Sequence, residues 1–156
     1  MKKLFLVATF IITVAFVHAQ DYSNAIGFRG GLSNGITGKH FLGNNSAVEG
    51  ILATRWNGLN VTALYELHKF NMFDTERLNL YYGAGAHIGF WNGAEVKWVD
   101  DSATYVVLGI DGIVGLEYNF TEVPLNVSID YKPAFNLIGV TGFWGDEFAL
   151  SLRYIF

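Results

Sequence analysis

The final segment of the chain, residues 146–156, alternates strictly between two kinds of side chain. Every second residue is large and apolar: Phe148, Leu150, Leu152, Tyr154 and Phe156. The residues between them are polar or small: Glu147, Ala149, Ser151 and Arg153. Because successive side chains of a β-strand point to opposite faces, this pattern predicts a strand with one apolar and one polar face. Such a strand must separate a polar environment from an apolar one.

Seven further segments with a period of two precede this one. They are residues 25–33, 36–42, 46–56, 59–68, 78–90, 105–119 and 125–135, of which 36–42 alternates too weakly for its parity to be fixed. Most are close to the 9 to 11 residues with which a tilted strand crosses a bilayer. The sequence therefore predicts an all-β fold, an eight-stranded antiparallel up-and-down transmembrane β-barrel.

Composition favours a chain whose surface faces something other than water. Hydrophobic residues make up 51% of the 156 residues and charged residues only 15%, against about 25% charged residues in ordinary soluble domains. The absence of cysteine excludes disulfides, thiolate chemistry and Cys-ligated zinc. The length predicts one domain.

The amino-terminal residues have the three parts of a secretory signal peptide. Lys2 and Lys3 precede the apolar run 4–16, and short residues up to Ala19 follow it. About 20 apolar residues are needed to span a bilayer, so the run is too short for an anchor. We expect residues 1–19 to be cleaved and residues 20–156 to form the barrel domain. Its 8 basic and 14 acidic side chains give a formal charge of −6, which disfavours nucleic acid as a partner.

The composition of the two strand faces predicts which face lines the lumen and which faces outward. Alternation alone also allows a soluble barrel with an apolar interior, so the composition of each face decides. The polar face carries both charge signs among small glycines, which suits the narrow lumen of an eight-stranded barrel. The predicted lumenal charge network is Arg29, Glu49, Arg55, Glu66, Asp111, Glu117, Asp130, Lys132, Glu147 and Arg153. The predicted lipid-facing residues include Val106, Leu108, Ile110, Leu125, Val127, Ile129, Phe148, Leu150 and Leu152.

Aromatic residues are predicted to gather at the two ends of the barrel. All four tryptophans, Trp56, Trp91, Trp98 and Trp144, fall at or beyond strand ends that point to one rim. Phe41, Phe70, Phe120, Tyr154 and Phe156 fall at the other rim. Two aromatic girdles are typical of membrane interfaces.

The signal peptide, the eight alternating segments and the terminal L-S-L-R-Y-I-F together resemble the small eight-stranded outer-membrane barrels of the OmpA/OmpX type of Gram-negative bacteria. The resemblance implies an outer-membrane location, contact with outer-membrane lipid and lipopolysaccharide, and a carboxyl-terminal strand that the barrel-assembly machinery reads. It also implies that both termini lie in the periplasm. Because the first two outer loops are tight turns, only 91–103 and 136–145 could present much outer surface. No extracellular partner is identified.

Some small outer-membrane barrels are lipid A deacylases or acyltransferases built on serine, histidine and a carboxylate. In this chain His68 and His87 share the lumenal parity with Glu66 and Ser128. We expect both histidines to be hydrogen-bonded members of a polar network, and we predict no catalytic, cofactor or metal site. Arg153 is expected to pair with a carboxylate of a neighbouring strand, for which Asp130 is a candidate.

The predicted function is that of a non-enzymatic outer-membrane barrel with a filled polar lumen and a structural or surface-interaction role. Two alternatives remain open at this point. One is an enzyme that modifies outer-membrane lipid, in the manner of a lipid A hydrolase. The other is a secreted soluble barrel that binds an apolar ligand.

Overall fold

The computed structural model describes residues 22–92 and 104–156. These residues form ten strand segments, one 3₁₀ turn at Met72–Asp74 and their connections. The strands are β1 (Asn24–Gly31), β2 (Asn34–Phe41), β3 (Ser46–Arg55), β4 (Gly58–Lys69), β5 (Leu78–Asn92), β6 (Thr104–Asn119), β7 (Leu125–Tyr131), β8 (Ala134–Ile138), β9 (Gly142–Trp144) and β10 (Phe148–Ile155). No helix in these two ranges is long and apolar enough to cross a membrane.

The ten segments make eight barrel strands. β7 and β8 both pair with β6, and the register continues across Lys132 and Pro133 as far as Asn136 before it shifts by one residue at Ile138. The break between them falls at Pro133, which has no N–H to donate. On the other side β10 pairs with β7 and β9 pairs with β8. The backbone N–H of Lys132 donates to the backbone carbonyl of Glu147, and Ala134 lies opposite Trp144. The eighth barrel strand, made of β9 and β10, therefore has one residue more here than the seventh, made of β7 and β8. The resulting bulge lies opposite Pro133.

The sheet closes on itself. Neighbouring barrel strands pair in sequence order from β1 to β10, and β10 returns to β1, where Ala25 lies opposite Ile155 and Phe28 opposite Leu152. All of these pairings are antiparallel. The predicted all-β fold with eight antiparallel barrel strands is confirmed.

Trp56 and Asn57 form the turn between β3 and β4. Both have left-handed φ values, 49° and 57°, and Gly58 already belongs to β4. Two consecutive residues of this kind are typical of the tight turns that join antiparallel strands. Glycine is required at position 58 for another reason, because a Cβ there would overlap the indole of Trp91.

The prediction of a long outer loop at 136–145 is wrong. β8 continues to Ile138 and returns as β9 from Gly142, so the loop shrinks to residues 139–141. β6 has 16 residues. Its residues 108–111 pair with β8, which continues the seventh barrel strand beyond the end of β7. Of the other expected loop, Trp91 and Asn92 belong to β5, whereas residues 93–103 lie outside the described residues.

The barrel has a polar interior and an apolar exterior. Of the buried side chains among the described residues, 20 are polar or charged and 11 are hydrophobic, and five of those 11 are alanine. Large apolar side chains face outward instead, with Phe28 73% exposed and Leu150 59% exposed. Within the described strands the charged residue that points outward is Lys69, at the end of β4. This arrangement is the reverse of the usual distribution in a water-soluble domain.

Candidate functional site: a charged network inside the barrel

The centre of the lumen holds two arginine–carboxylate pairs. Arg29 on β1 donates two hydrogen bonds to Asp130 on β7, at 2.7 and 2.5 Å. Tyr81 on β5 donates to the same carboxylate at 2.8 Å. Both partners of the ion pair have no solvent-exposed side-chain surface. Bidentate geometry of this kind fixes the guanidinium plane and ties β1 to β7, with β10 between them in the sheet.

The second pair corrects an expectation from the sequence. Arg153 on β10 does not pair with Asp130 but with Glu49 on β3, with Nη2 2.6 Å from Oε1. Its other terminal nitrogen lies 2.7 Å from the hydroxyl oxygen of Ser128. Thr37 also donates to Glu49. Asp130 is already paired with Arg29. In a narrow lumen an arginine side chain can reach a strand across the barrel as well as a neighbouring strand. The order of the strands therefore did not predict the partner of Arg153.

A lower cluster, consisting of Lys39, Glu66, His68 and Glu117, lies near the end where β1 begins. The Lys39 ammonium lies 2.8 Å from Glu66 and 3.5 Å from both Glu117 and Glu49. His68 lies 3.1 Å from Glu66 through Nε2 and 3.3 Å from Glu117 through Nδ1. Glu66, Glu117 and the central Glu49 therefore surround the lysine, and the first two also contact the imidazole. All of these side chains are buried.

Aromatic rings surround the lower cluster. Phe41 packs against His68 with ring centroids 4.7 Å apart, and Tyr81 stacks on the imidazole at 5.4 Å. Tyr22, which precedes β1, packs edge-on against Phe41 and donates a hydrogen bond to Glu117 at 3.2 Å. These rings separate the charges from the lower opening of the barrel.

An upper cluster, consisting of His87, Asp111, Lys132, Asn136 and Glu147, lies toward the tryptophan-bearing end. Asp111 accepts from Lys132 at 2.9 Å and lies 2.7 Å from His87 Nδ1. His87 Nε2 lies 2.9 Å from Asn136 Oδ1. Glu147 lies 3.3 Å from Lys132 and accepts from Ser33 at 2.9 Å. A longer contact of 3.8 Å from Arg29 to Glu147 links this cluster to the central pairs.

The upper mouth carries an ion pair framed by tryptophans. Arg55 donates to both carboxylate oxygens of Asp146, at 2.7 and 3.2 Å. Its guanidinium carbon lies 3.9 Å from the ring centre of Trp56 and 5.7 Å from that of Trp144. Asp146 lies between β9 and β10, and its hydrogen bonds from Arg55 hold the pKa of this carboxyl below its ordinary value.

The mouth encloses a small cavity. Its volume is about 40 Å³ and its wall includes Ser33, Arg55, Trp91, Lys132, Asn136 and Trp144. About three water molecules fit into such a space, at 10–15 Å³ for each. The cavity is thus a vestibule above the upper cluster, with a wall that mixes polar and charged groups with tryptophans.

Most residues of the predicted charge network do lie together inside the barrel. Nine of the ten are buried: Arg29, Glu49, Glu66, Asp111, Glu117, Asp130, Lys132, Glu147 and Arg153. The tenth, Arg55, lies at the mouth. Lys39 was missed because the parity of β2 could not be fixed from its sequence. The cost of placing a lysine on a lipid face, about 2 to 4 kcal/mol, was the signal that could have assigned it to the lumen.

The predicted lipid-facing residues point away from the lumen. Eight are well exposed, namely Val106, Leu108, Ile110, Val127, Ile129, Phe148, Leu150 and Leu152. Leu125, at the lower end of β7, is half-buried.

The predicted tryptophan girdle is placed differently. Trp56 is exposed, but Trp91 lies on the lumenal side of β5, where its indole covers Gly58 and Gly89 and donates to the Arg55 carbonyl at 3.1 Å. Trp144 also lines the mouth, because the bulge in the eighth barrel strand turns it toward the lumen. Trp98 lies outside the described residues. At the opposite end, Tyr154 and Phe156 stack with centroids 6.0 Å apart.

The candidate catalytic side chains are engaged with different partners at different heights. Ser128 is bound by Arg153 in the centre, His68 by Glu66 and Glu117 below, and His87 by Asp111 and Asn136 above. Among the described residues no group of three or more histidine, cysteine or acidic side chains is arranged to hold a metal ion. The adjacent carboxylates Asp100 and Asp101 lie outside the described residues. No family model and no curated protein matches this chain.

Proposed function

We propose that this protein is an integral outer-membrane β-barrel with a structural or surface-interaction role rather than an enzymatic one. The observation that carries the proposal is the inverted distribution of side chains, with an ion-paired interior and an almost uncharged apolar exterior. Soluble monomers rarely expose apolar patches larger than a few hundred Å². A closed sheet also satisfies its backbone hydrogen bonds internally, which is what a lipid environment requires of a spanning structure.

The outward band supports burial in lipid around the whole circumference. Exposed large apolar residues occur on every barrel strand, for example Ile26, Leu52, Ile110, Ile129 and Leu152. Each such side chain contributes about 1.5 to 3 kcal/mol when moved from water into an apolar medium. Lipid on one side only would leave the rest of this band in water.

By its resemblance to the OmpA/OmpX type, the tryptophan-bearing mouth faces outward and the lower end, with Tyr22 and Phe156, faces the periplasm. Lipid and lipopolysaccharide contact the outward band. The strand β10, which pairs with β1 and β7, is the strand that the barrel-assembly machinery recognises.

A channel or an apolar-ligand carrier fits less well. Water-filled barrels have about 16 strands or more, and this narrower lumen is occupied by the paired arginines and tyrosine described above. An apolar carrier needs a cavity of several hundred Å³, whereas the vestibule holds about 40 Å³. The separate engagement of Ser128, His68 and His87 argues against a lipid-hydrolysing triad.

A pair of single-cysteine variants tests the membrane assignment. Leu152 faces outward and Ser151 faces the lumen, and the chain has no other cysteine. A fluorophore on Leu152→Cys in a reconstituted bilayer is expected to be quenched by nitroxide-bearing lipids, while one on Ser151→Cys is not. Quenching at neither position would contradict membrane insertion. Recovery of the native protein in the soluble periplasmic fraction would contradict it as well.

A further inference from the structure

The buried charges of the lumen do not balance unless protons are added. Among the described residues six buried carboxylates, Glu49, Glu66, Asp111, Glu117, Asp130 and Glu147, face four buried cations, Arg29, Lys39, Lys132 and Arg153. The Arg55–Asp146 pair at the mouth cancels itself. The deficit is two positive charges. Uncompensated charge in a low-dielectric interior is costly. In the lower half of the lumen, where Glu49, Glu66 and Glu117 face Lys39 and Arg153, His68 is a group able to supply one positive charge.

The surroundings of His68 on β4 favour its charged form. A neutral imidazole has one donor and one acceptor nitrogen, whereas an imidazolium donates from both. Here both nitrogens face carboxylate oxygens, Glu66 of the same strand and Glu117 of β6. A neutral ring would leave one of these nitrogens without a proton beside a carboxylate oxygen. The other charged or titratable groups around the ring are Lys39 of β2, Glu49 of β3, Tyr81 of β5, Arg153 of β10 and Tyr22.

We propose that His68 is a proton-binding site that holds one proton at neutral pH as part of the folded barrel. With this proton the charges of the lower half of the lumen balance, because Lys39, Arg153 and His68 face Glu49, Glu66 and Glu117. Unfolding exposes an ordinary imidazole, which releases its proton near pH 6.5, so the folded barrel binds more protons than the unfolded chain between neutral and mildly alkaline pH. Since stability falls with rising pH wherever the native state binds more protons, the barrel loses stability across this range.

Histidine charge states can be read directly by nitrogen NMR of protein labelled with ¹⁵N-histidine in detergent micelles at about pH 7.5. The spectrum of His68→Gln identifies the signals of His68 by their absence. We expect the imidazolium pattern for His68. A neutral His68, with the proton on Glu66, would overturn the proposal.

Unfolding by urea at several pH values gives a second, energetic test. The extra proton on His68 should raise the unfolding equilibrium constant by up to about 10-fold per pH unit at the steepest point, and His68→Gln should remove this contribution. An unchanged slope in His68→Gln would contradict the role of His68. If that variant fails to fold, Glu66→Gln/His68→Gln removes one charge of each sign and should show the same reduced slope.

Discussion

Arg153 and Glu49 form an ion pair of 2.6 Å between β10 and β3, strands that are separated by β1 and β2 in the sheet. The bond therefore crosses the lumen and braces two distant parts of the wall. Both side chains are fully buried. Removing one partner leaves the other as an uncompensated buried charge.

Arg153→Ala is expected to lower the free energy of unfolding by about 3 to 5 kcal/mol, the usual cost of breaking a buried pair from one side. Arg55→Ala is the matched control, because its partner Asp146 is 57% exposed and exposed pairs contribute about 0 to 1 kcal/mol. Urea unfolding in micelles measures both. Equal losses for the two variants would show that water reaches the centre of the lumen.

Two glycines predict opposite outcomes for the same substitution. A Cβ on Gly50 of β3 meets no atom within 4 Å, while one on Gly85 of β5 overlaps the carbonyl oxygen of Ala63. Gly50→Ala should be neutral or stabilise by up to about 1 kcal/mol through the unfolded state. Gly85→Ala should cost about 1 to 3 kcal/mol through overpacking. Unfolding midpoints of the two variants provide the comparison, and a midpoint for Gly85→Ala at the wild-type value would contradict the close approach of β4 and β5.

The carboxyl of Asp146 is expected to titrate below its ordinary value of about 3.9, because Arg55 donates two hydrogen bonds to the charged form. A depressed value means that this interaction stabilises the fold above the ordinary pKa and is lost as the pH falls through the folded-state pKa. Carbon-detected NMR titration of the side chain measures it. Arg55→Gln should return the pKa toward 3.9, and the same low value in this variant would assign the shift to another cause.

The terminal aromatic residue is expected to affect assembly more than stability. The backbone of Phe156 exchanges two hydrogen bonds of 2.9 Å with Asn24, but its side chain is 46% exposed at the rim. Deleting Phe156 should lower the amount of barrel assembled in the outer membrane, whereas the barrel that does assemble should unfold near the wild-type midpoint. Quantitative immunoblotting of membrane fractions and urea unfolding separate the two effects. Normal assembly of the shortened chain would count against recognition of the final strand.

The sequence predicted the barrel because period-two alternation is a local property of each strand. The segment 105–119 shows it over its whole length and became β6 with a shift of one residue at its start. The face of each charged residue followed in the same way. β2 was the exception, since Gly38 and Gly35 dilute its pattern, and Lys39 was lost from the expected network.

Partners and mouth geometry could not be predicted, because both depend on distances across the lumen. The choice of Glu49 over Asp130 by Arg153 is fixed by barrel curvature and by competition from Arg29. The inward turn of Trp144 depends on one extra residue opposite Pro133. Such a bulge reverses the parity of everything beyond it, so alternation extrapolated through a bulge assigns the wrong face.

The pairing of β1 with β10, which closes the barrel, also affects the order in which the strands pair during folding. It joins Ala25 to Ile155, 130 positions apart, whereas the other strand pairs are neighbours along the chain and can form as hairpins. Contacts between such distant residues form late, since the entropy of closing the intervening chain must be overcome first. Until then the edges of β1 and β10 expose unpaired backbone groups that can bond to a strand of another molecule. The edges of β1 and β10 can therefore promote aggregation before the barrel closes, and they are also the groups that a catalyst of assembly would bind. When β1 and β10 pair with each other, neither edge remains available for aggregation or for the catalyst.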